Sequence, residues 1–185
     1  MRHVFIVLSF SGTLMSWLIK MRYPAGHYCH VSLALDEHLE QMYSFGRKGT
    51  YNAFNAGFIH ENLDRGIFRI KDVRSRVYSL QVTEEQYLAL IDALEGFERD
   101  RDEYHFDIVG LLLRVVSPRF NLARDKHYYC SRFVGELLED SGSANLPVDP
   151  RLMHPTMFSD LKGMRLLHEG SLREYRASRR EKVAV

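Results

Sequence analysis

The sequence predicts an α+β domain in which an antiparallel sheet carries helices drawn mainly from the second half of the chain. Three observations carry this reading. Two neighbouring early segments, 28–36 and 39–45, have strand character and are joined by a short polar link, the pattern of a hairpin. From residue 83 onward the apolar period lengthens from two to between three and four, as helices require. The chain has 185 residues, 45% of them hydrophobic, which suits a single core, and no repeat or linker divides it.

Taken in order, residues 3–9 read as a buried strand. Residues 9–13 form a turn into a short helix through Leu14, Trp17, Leu18 and Met21, stopped by Pro24 and Gly26. The strand 28–36 places Val31, Leu33 and Leu35 on one face and His30, Ser32 and Ala34 on the other. Residues 39–45 return as the second strand of the hairpin, and 46–70, with Gly49, Gly57 and Gly66, read as irregular. A further strand covers 77–82. Thr83 then has Gln86 three residues on, the capping-box spacing, before a stripe of Tyr87, Leu90, Ile91, Leu94 and Phe97. A charged link, 98–103, leads to a helix over 106–116 that ends near Pro118. The next helix opens on Cys130 and runs to Ser141 and Gly142. Pro147, Pro150 and Pro155 punctuate a loop before a short helix at 157–161 and a last strand at 164–168. The domain spans 1–172, and the charged tail 173–185 reads as a solvated, frayed end.

The totals narrow the function. With 25 basic against 24 acidic residues, no charge excess predicts binding to nucleic acid or to an anionic membrane. No segment has the length of an integral membrane span. The opening, Met1-Arg2-His3-Val4-Phe5-Ile6-Val7-Leu8, resembles a signal peptide, but Ser9, Ser11, Gly12 and Thr13 interrupt it and no small-residue cleavage site follows. Two cysteines, Cys29 and Cys130, do not make a disulfide framework, so the expectation is a reducing, cytoplasmic location.

Cys130 is the residue on which the chemistry turns. Phe133, Val134, Leu137 and Leu138 follow it at helical spacing, which puts the sulfur in the first turn of an amphipathic helix. There the unpaired amides and the helix dipole favour the thiolate, the form that attacks carbonyls. A small core residue is the other role such a cysteine takes. Its base is expected in His30, on the less bulky face of its strand, although strand histidines also serve structural roles. Cys29 alternates to the face opposite His30 and is expected in the core. His27, Cys29, His30 and His38 match no usual zinc spacing, so neither a metal nor a cofactor is expected. If the hairpin loop is 36–38, Leu35 pairs with Leu39 and His30 faces Ser44, which makes Ser44 the candidate for the group that orients the imidazole. A loop one residue shorter substitutes Phe45. The Cys130 backbone N–H is the natural first oxyanion donor, with Tyr104, Asn121 and Tyr129 as conceivable helpers. The loop 46–66 leaves the strand of Ser44, and Tyr51, Phe54 and Phe58 are expected to line a groove for an apolar or peptide-like acyl group, unless they are tucked into the core.

The segment Ser9-Phe10-Ser11-Gly12-Thr13-Leu14-Met15-Ser16-Trp17-Leu18-Ile19-Lys20, the strand from His30 to Asp36, the stretch Met42-Tyr43-Ser44-Phe45-Gly46 and the motif Tyr129-Cys130-Ser131-Arg132-Phe133-Val134 come in a telling order. Together they resemble the circularly permuted branch of the NlpC/P60 papain-like superfamily, the YiiX/YaeF-like proteins and, more distantly, lecithin:retinol acyltransferase. In that branch the catalytic histidine precedes the cysteine, as His30 precedes Cys130. The resemblance covers most of the chain. It implies a papain-like fold with the cysteine helix packed on an antiparallel sheet, and Cys130 and His30 as catalytic dyad. It also implies a third polar residue on the strand after the histidine strand, where Ser44 departs from the usual histidine, glutamate, asparagine or glutamine. The implied chemistry is hydrolysis or transfer at an amide, ester or thioester carbonyl, so the expected partner is a peptide, amide or acyl substrate. A cysteine peptidase or amidase is the leading expectation. A non-catalytic binding module on the same fold and a lipid acyltransferase are the alternatives, and the oligomeric state is left open.

Overall fold

A computed structural model describes residues 1–10, 28–48, 56–117 and 124–183. Its centre is β1 (Arg2–Phe10), whose apolar run is explained by burial on both faces. Val4, Ile6 and Leu8 enter one core cluster, while Phe5 and Val7 enter another on the opposite face. Around it lie β2 (His30–Ala34), β3 (Met42–Arg47), β4 (Ala56–Glu61), β5 (Arg74–Val82) and β8 (Met164–Ser171), in the order β4-β3-β2-β1-β5-β8. Every neighbouring pair in this six-stranded sheet is antiparallel. The short strands β6 (His105–Phe106) and β7 (His127–Tyr128) form a separate parallel pair.

The helices are α1 (Gly66–Ile70), α2 (Glu84–Arg99), α3 (Ile108–Val116), α4 (Cys130–Asp140) and α5 (Leu172–Val183). The capping box of α2 forms as expected: Thr83 Oγ1 accepts from the Gln86 amide and the Gln86 side chain accepts from the Thr83 amide. Leu90 and Leu94 of α2 and Phe133, Val134, Leu137 and Leu138 of α4 bury into the cluster that holds Val31 and Leu33. Aromatic rings clamp these helices to β3 and β4, with Phe45 at 5.2 Å from Phe133 and Phe58 at 5.8 Å from Phe97, centroid to centroid. The expected α+β class and antiparallel sheet are present. The helix expected through Leu14 to Met21 lies outside the described residues.

Three expectations are corrected. The hairpin loop is wider than 36–38: Leu33 pairs with Tyr43, where that loop would pair it with Gln41. Asp36 is the cause. Its carboxylate accepts from the amides of His38, Glu40 and Gln41, and the buried Leu39 takes a left-handed conformation at φ 58° to close the turn. The stretch expected to be irregular contains β4, paired along its length with β3 from Met42↔Glu61 to Arg47↔Ala56.

The C-terminal segment is not a solvated end. Leu172 and Tyr175 of α5 are buried against Phe5, Val7 and Val77 on the sheet face opposite α2 and α4. Arg173 donates to the carbonyls of Phe68 and Arg69, and Arg176 holds Asp64 at 2.6 Å. Tyr175→Ala should therefore lower the unfolding free energy by about 3–5 kcal/mol in urea titration, as for other large aromatics truncated in a core; a surface tail would give almost no change.

Candidate active site

Cys130 is the first residue of α4, and Tyr129 caps it in an extended conformation while its carbonyl accepts from the Phe133 amide at 3.0 Å. No acidic residue sits in the first turn, so the positive end of the helix dipole is not offset there. The residues around the sulfur are each tied down. Ser131 Oγ donates to the Met153 carbonyl at 2.8 Å, and the Tyr129 hydroxyl donates to the Arg151 carbonyl. Arg132 donates to the His127 carbonyl at 2.7 Å and the Arg124 carbonyl at 3.1 Å. Arg124 in turn bonds Asp107, a buried carboxylate that also caps α3. Cys130 is thus held between a packed helix and a hydrogen-bonded approach segment, as a free, partly exposed thiol.

His30 opens β2. Its Nε2 lies 2.7 Å from Glu61 Oε1. The other oxygen of that carboxylate accepts from the buried Ser32 hydroxyl. Glu61 stands at the end of β4, so the contact reaches from β2 across β3. Gly46 lies beside the ring: a Cβ there would stand 3.6 Å from His30 Cε1, an ordinary contact, and 3.1 Å from Ile59 Cδ1. The side chain of Glu61 is 6% exposed and that of His30 is 23% exposed.

The ring of His30 is also coupled electrostatically to Cys130. The helix of Cys130 packs on the Val31 and Leu33 side of the sheet, whereas His30 alternates with Ser32 and Ala34. The two meet because His30 is the first residue of its strand, at the end of the sheet. Burial opposes charge on the imidazole, but attraction to Glu61 and to Cys130, with the hydrogen bond to Glu61, outweighs it. The net effect raises the His30 pKa well above its ordinary value of 6.5.

Of the residues expected at the site, Cys130 and His30 come together and Ser44 does not join them. The Ser44 hydroxyl is fully buried and donates to the Val31 carbonyl at 2.8 Å. The wider loop moves the pairing by two residues, which keeps Ser44 on the same face but sets Gly46, not Ser44, beside His30. Tyr51, Phe54 and Asn121 lie outside the described residues. Phe58 is 0% exposed among Phe45, Phe97 and Phe133, so it is core and not the wall of a groove. The Tyr129 hydroxyl is committed to Arg151, and Tyr104 packs at 4.5 Å from Phe97. Cys29 is buried. Glu61 is the residue that sequence reasoning missed. It ends the run Gly57-Phe58-Ile59-His60-Glu61, which has no apolar–polar alternation to mark it as a strand and lies inside the segment taken as irregular.

Among the described residues no group of three or more His, Cys, Asp or Glu side chains is arranged to hold a metal, and no helix is long and apolar enough to cross a membrane. Comparison with family models, curated proteins and solved structures gives no match to this chain.

The charge on His30 has a measurable sign. Because its folded pKa is raised, its stabilising contribution is complete below 6.5 and is lost as pH climbs through the raised value. NMR titration of the ring should find it protonated at neutral pH in the parent protein. Glu61→Gln should lower its pKa and flatten the alkaline fall in stability; an unchanged titration would mean that Glu61 does not govern the ring.

Proposed function

We propose that this chain is a cysteine hydrolase of the amidase or peptidase type, with a permuted papain-like architecture, in which Cys130 is the nucleophile, His30 the general base and acid, and Glu61 the group that orients His30. The observation that carries the reading is the 2.7 Å contact from His30 Nε2 to Glu61, on a ring whose charge is also favoured by Cys130. A nucleophile, a base and a third group holding the base are the arrangement that acyl transfer requires. A glutamate here removes the anomaly that Ser44 raised, and it favours an enzyme over a non-catalytic module on the same fold.

In this mechanism the Cys130 thiolate attacks the substrate carbonyl carbon and the carbonyl electrons move to oxygen. The amide N–H of Cys130, at the start of α4, is the natural donor to that oxyanion. His30, protonated, gives its Nδ1 proton to the leaving amine or alcohol as the carbon–heteroatom bond breaks, which leaves an acyl thioester on Cys130. The neutral ring then takes a proton from water, whose oxygen attacks the thioester. Collapse of that second adduct releases the acid and restores the thiolate facing imidazolium. Glu61 accepts from Nε2 throughout, so the ring keeps one orientation and its positive charge is balanced.

Labelling with iodoacetamide tests the site without a known substrate. Cys130 should be alkylated quickly at neutral pH, and His30→Ala should slow this to the rate of an ordinary thiol. Once a cleavable amide or ester is found, Cys130→Ala should abolish turnover, and Glu61→Ala should reduce it on the order of 10²- to 10⁴-fold, the range associated with a positioned acid–base. Ser44→Ala should cost about 1 kcal/mol of stability for its lost hydrogen bond and leave labelling unchanged. A reversal of the Glu61 and Ser44 effects would overturn the assignment.

A further inference from the structure

The end of the sheet that carries His30 also carries a cluster of charges that the reaction does not use. Ser9 pairs with His30 on one side and with Ser75 on the other, so β5 runs two strands from the histidine. Ser75 is flanked by Arg74 and Arg76. Arg76 is level with Leu8, and Leu8 with Val31, which puts the arginine on the face covered by α4. Its guanidinium stands 5.3 Å from the ring centroid of Tyr28, two residues before His30 in the chain. Glu169 of β8 accepts from Arg76 Nη2 at 2.9 Å and from the Tyr28 hydroxyl at 3.4 Å. Arg74 interacts electrostatically with both Tyr28 and Glu169. Arg74 is exposed and forms no ion pair among the described residues. Moreover, Arg76 Nε is buried with no hydrogen-bond partner among the described residues.

A buried donor without an acceptor beside an exposed arginine without an ion pair suits a planar anionic acceptor, a carboxylate. We propose that Arg74 and Arg76 form a subsite for a carboxylate carried by the substrate, at the end of the sheet that holds His30 and two strands away from it. The substrate class is then an acyl compound or small peptide derivative with a free carboxylate on one side of the scissile bond. This deepens the hydrolase reading and rests on it, because the subsite is placed relative to His30, the base of that site.

The test uses the full chain and two thiol reagents of equal length, 6-maleimidohexanoate and its neutral amide, with modification of Cys130 read by peptide mass. The carboxylate reagent should react faster, by on the order of two- to tenfold for one unpaired charge near a protein surface. That preference should fade in high salt. Arg76→Gln and Arg74→Gln should each reduce the ratio of the two rates and leave the neutral rate unchanged. Glu169→Gln, which frees Arg76, should increase it. Should Arg76→Gln misfold, the exposed Arg74 still gives a soluble variant. A ratio insensitive to the arginine substitutions, or one that falls in Glu169→Gln, overturns the subsite. The neutral reagent alone reports whether Cys130 is activated. A slow neutral rate would defeat the nucleophile while the ratio still decided the subsite.

Discussion

A carboxylate with only 6% of its side chain exposed has to find donors for both oxygens, and in this protein the donors are His30 and Ser32 of the same strand. Much of the site follows from that requirement. It couples β4 to β2 over the top of β3, and it favours the charged form of a partly buried imidazole. Breaking such a pair from one side costs about 3–5 kcal/mol, because the survivor is left charged and uncompensated. An apolar pair in its place would serve stability as well.

The other half of the site is held by different forces. α4 is anchored by apolar side chains and by hydrogen bonds from Tyr129, Ser131 and Arg132, none of which involves the sulfur. The rings of Phe45, Phe58, Phe97 and Phe133 join α2 and α4 to β3 and β4, and β4 is the strand that ends in Glu61. Core packing and site geometry are therefore coupled. A change in how α4 sits on β3 and β4 would move Cys130 relative to Glu61.

The opposite face of the sheet explains why β1 is apolar without alternation. α5 covers Phe5, Val7 and Val77 with Leu172 and Tyr175, while its arginines reach carbonyls of α1 and the carboxylate of Asp64. A helix with so many charged residues is exposed along most of its length, yet two apolar side chains suffice to dock it. Its polar contacts fix orientation more than they add energy, as expected for ion pairs near solvent.

The sequence by itself determined what depends on near neighbours. The apolar run of β1, the alternation of β2, the strand at β5, the capping box at Thr83 and the amphipathic helix opening on Cys130 are local, and each appears where its pattern places it. His30 and Cys130 were legible because residue type and helix position carry chemical meaning before the fold is known. Only the tertiary structure decided the hairpin register, since a slip of two residues keeps every side chain on its own face and leaves no trace in the alternation. Glu61 became the partner of His30 through pairing across a third strand, information that no local pattern contains. The C-terminal helix is ordered for a related reason: Leu172 and Tyr175 are too few to signal burial alone, and the surface that receives them is assembled from β1 and β5, far away in the chain.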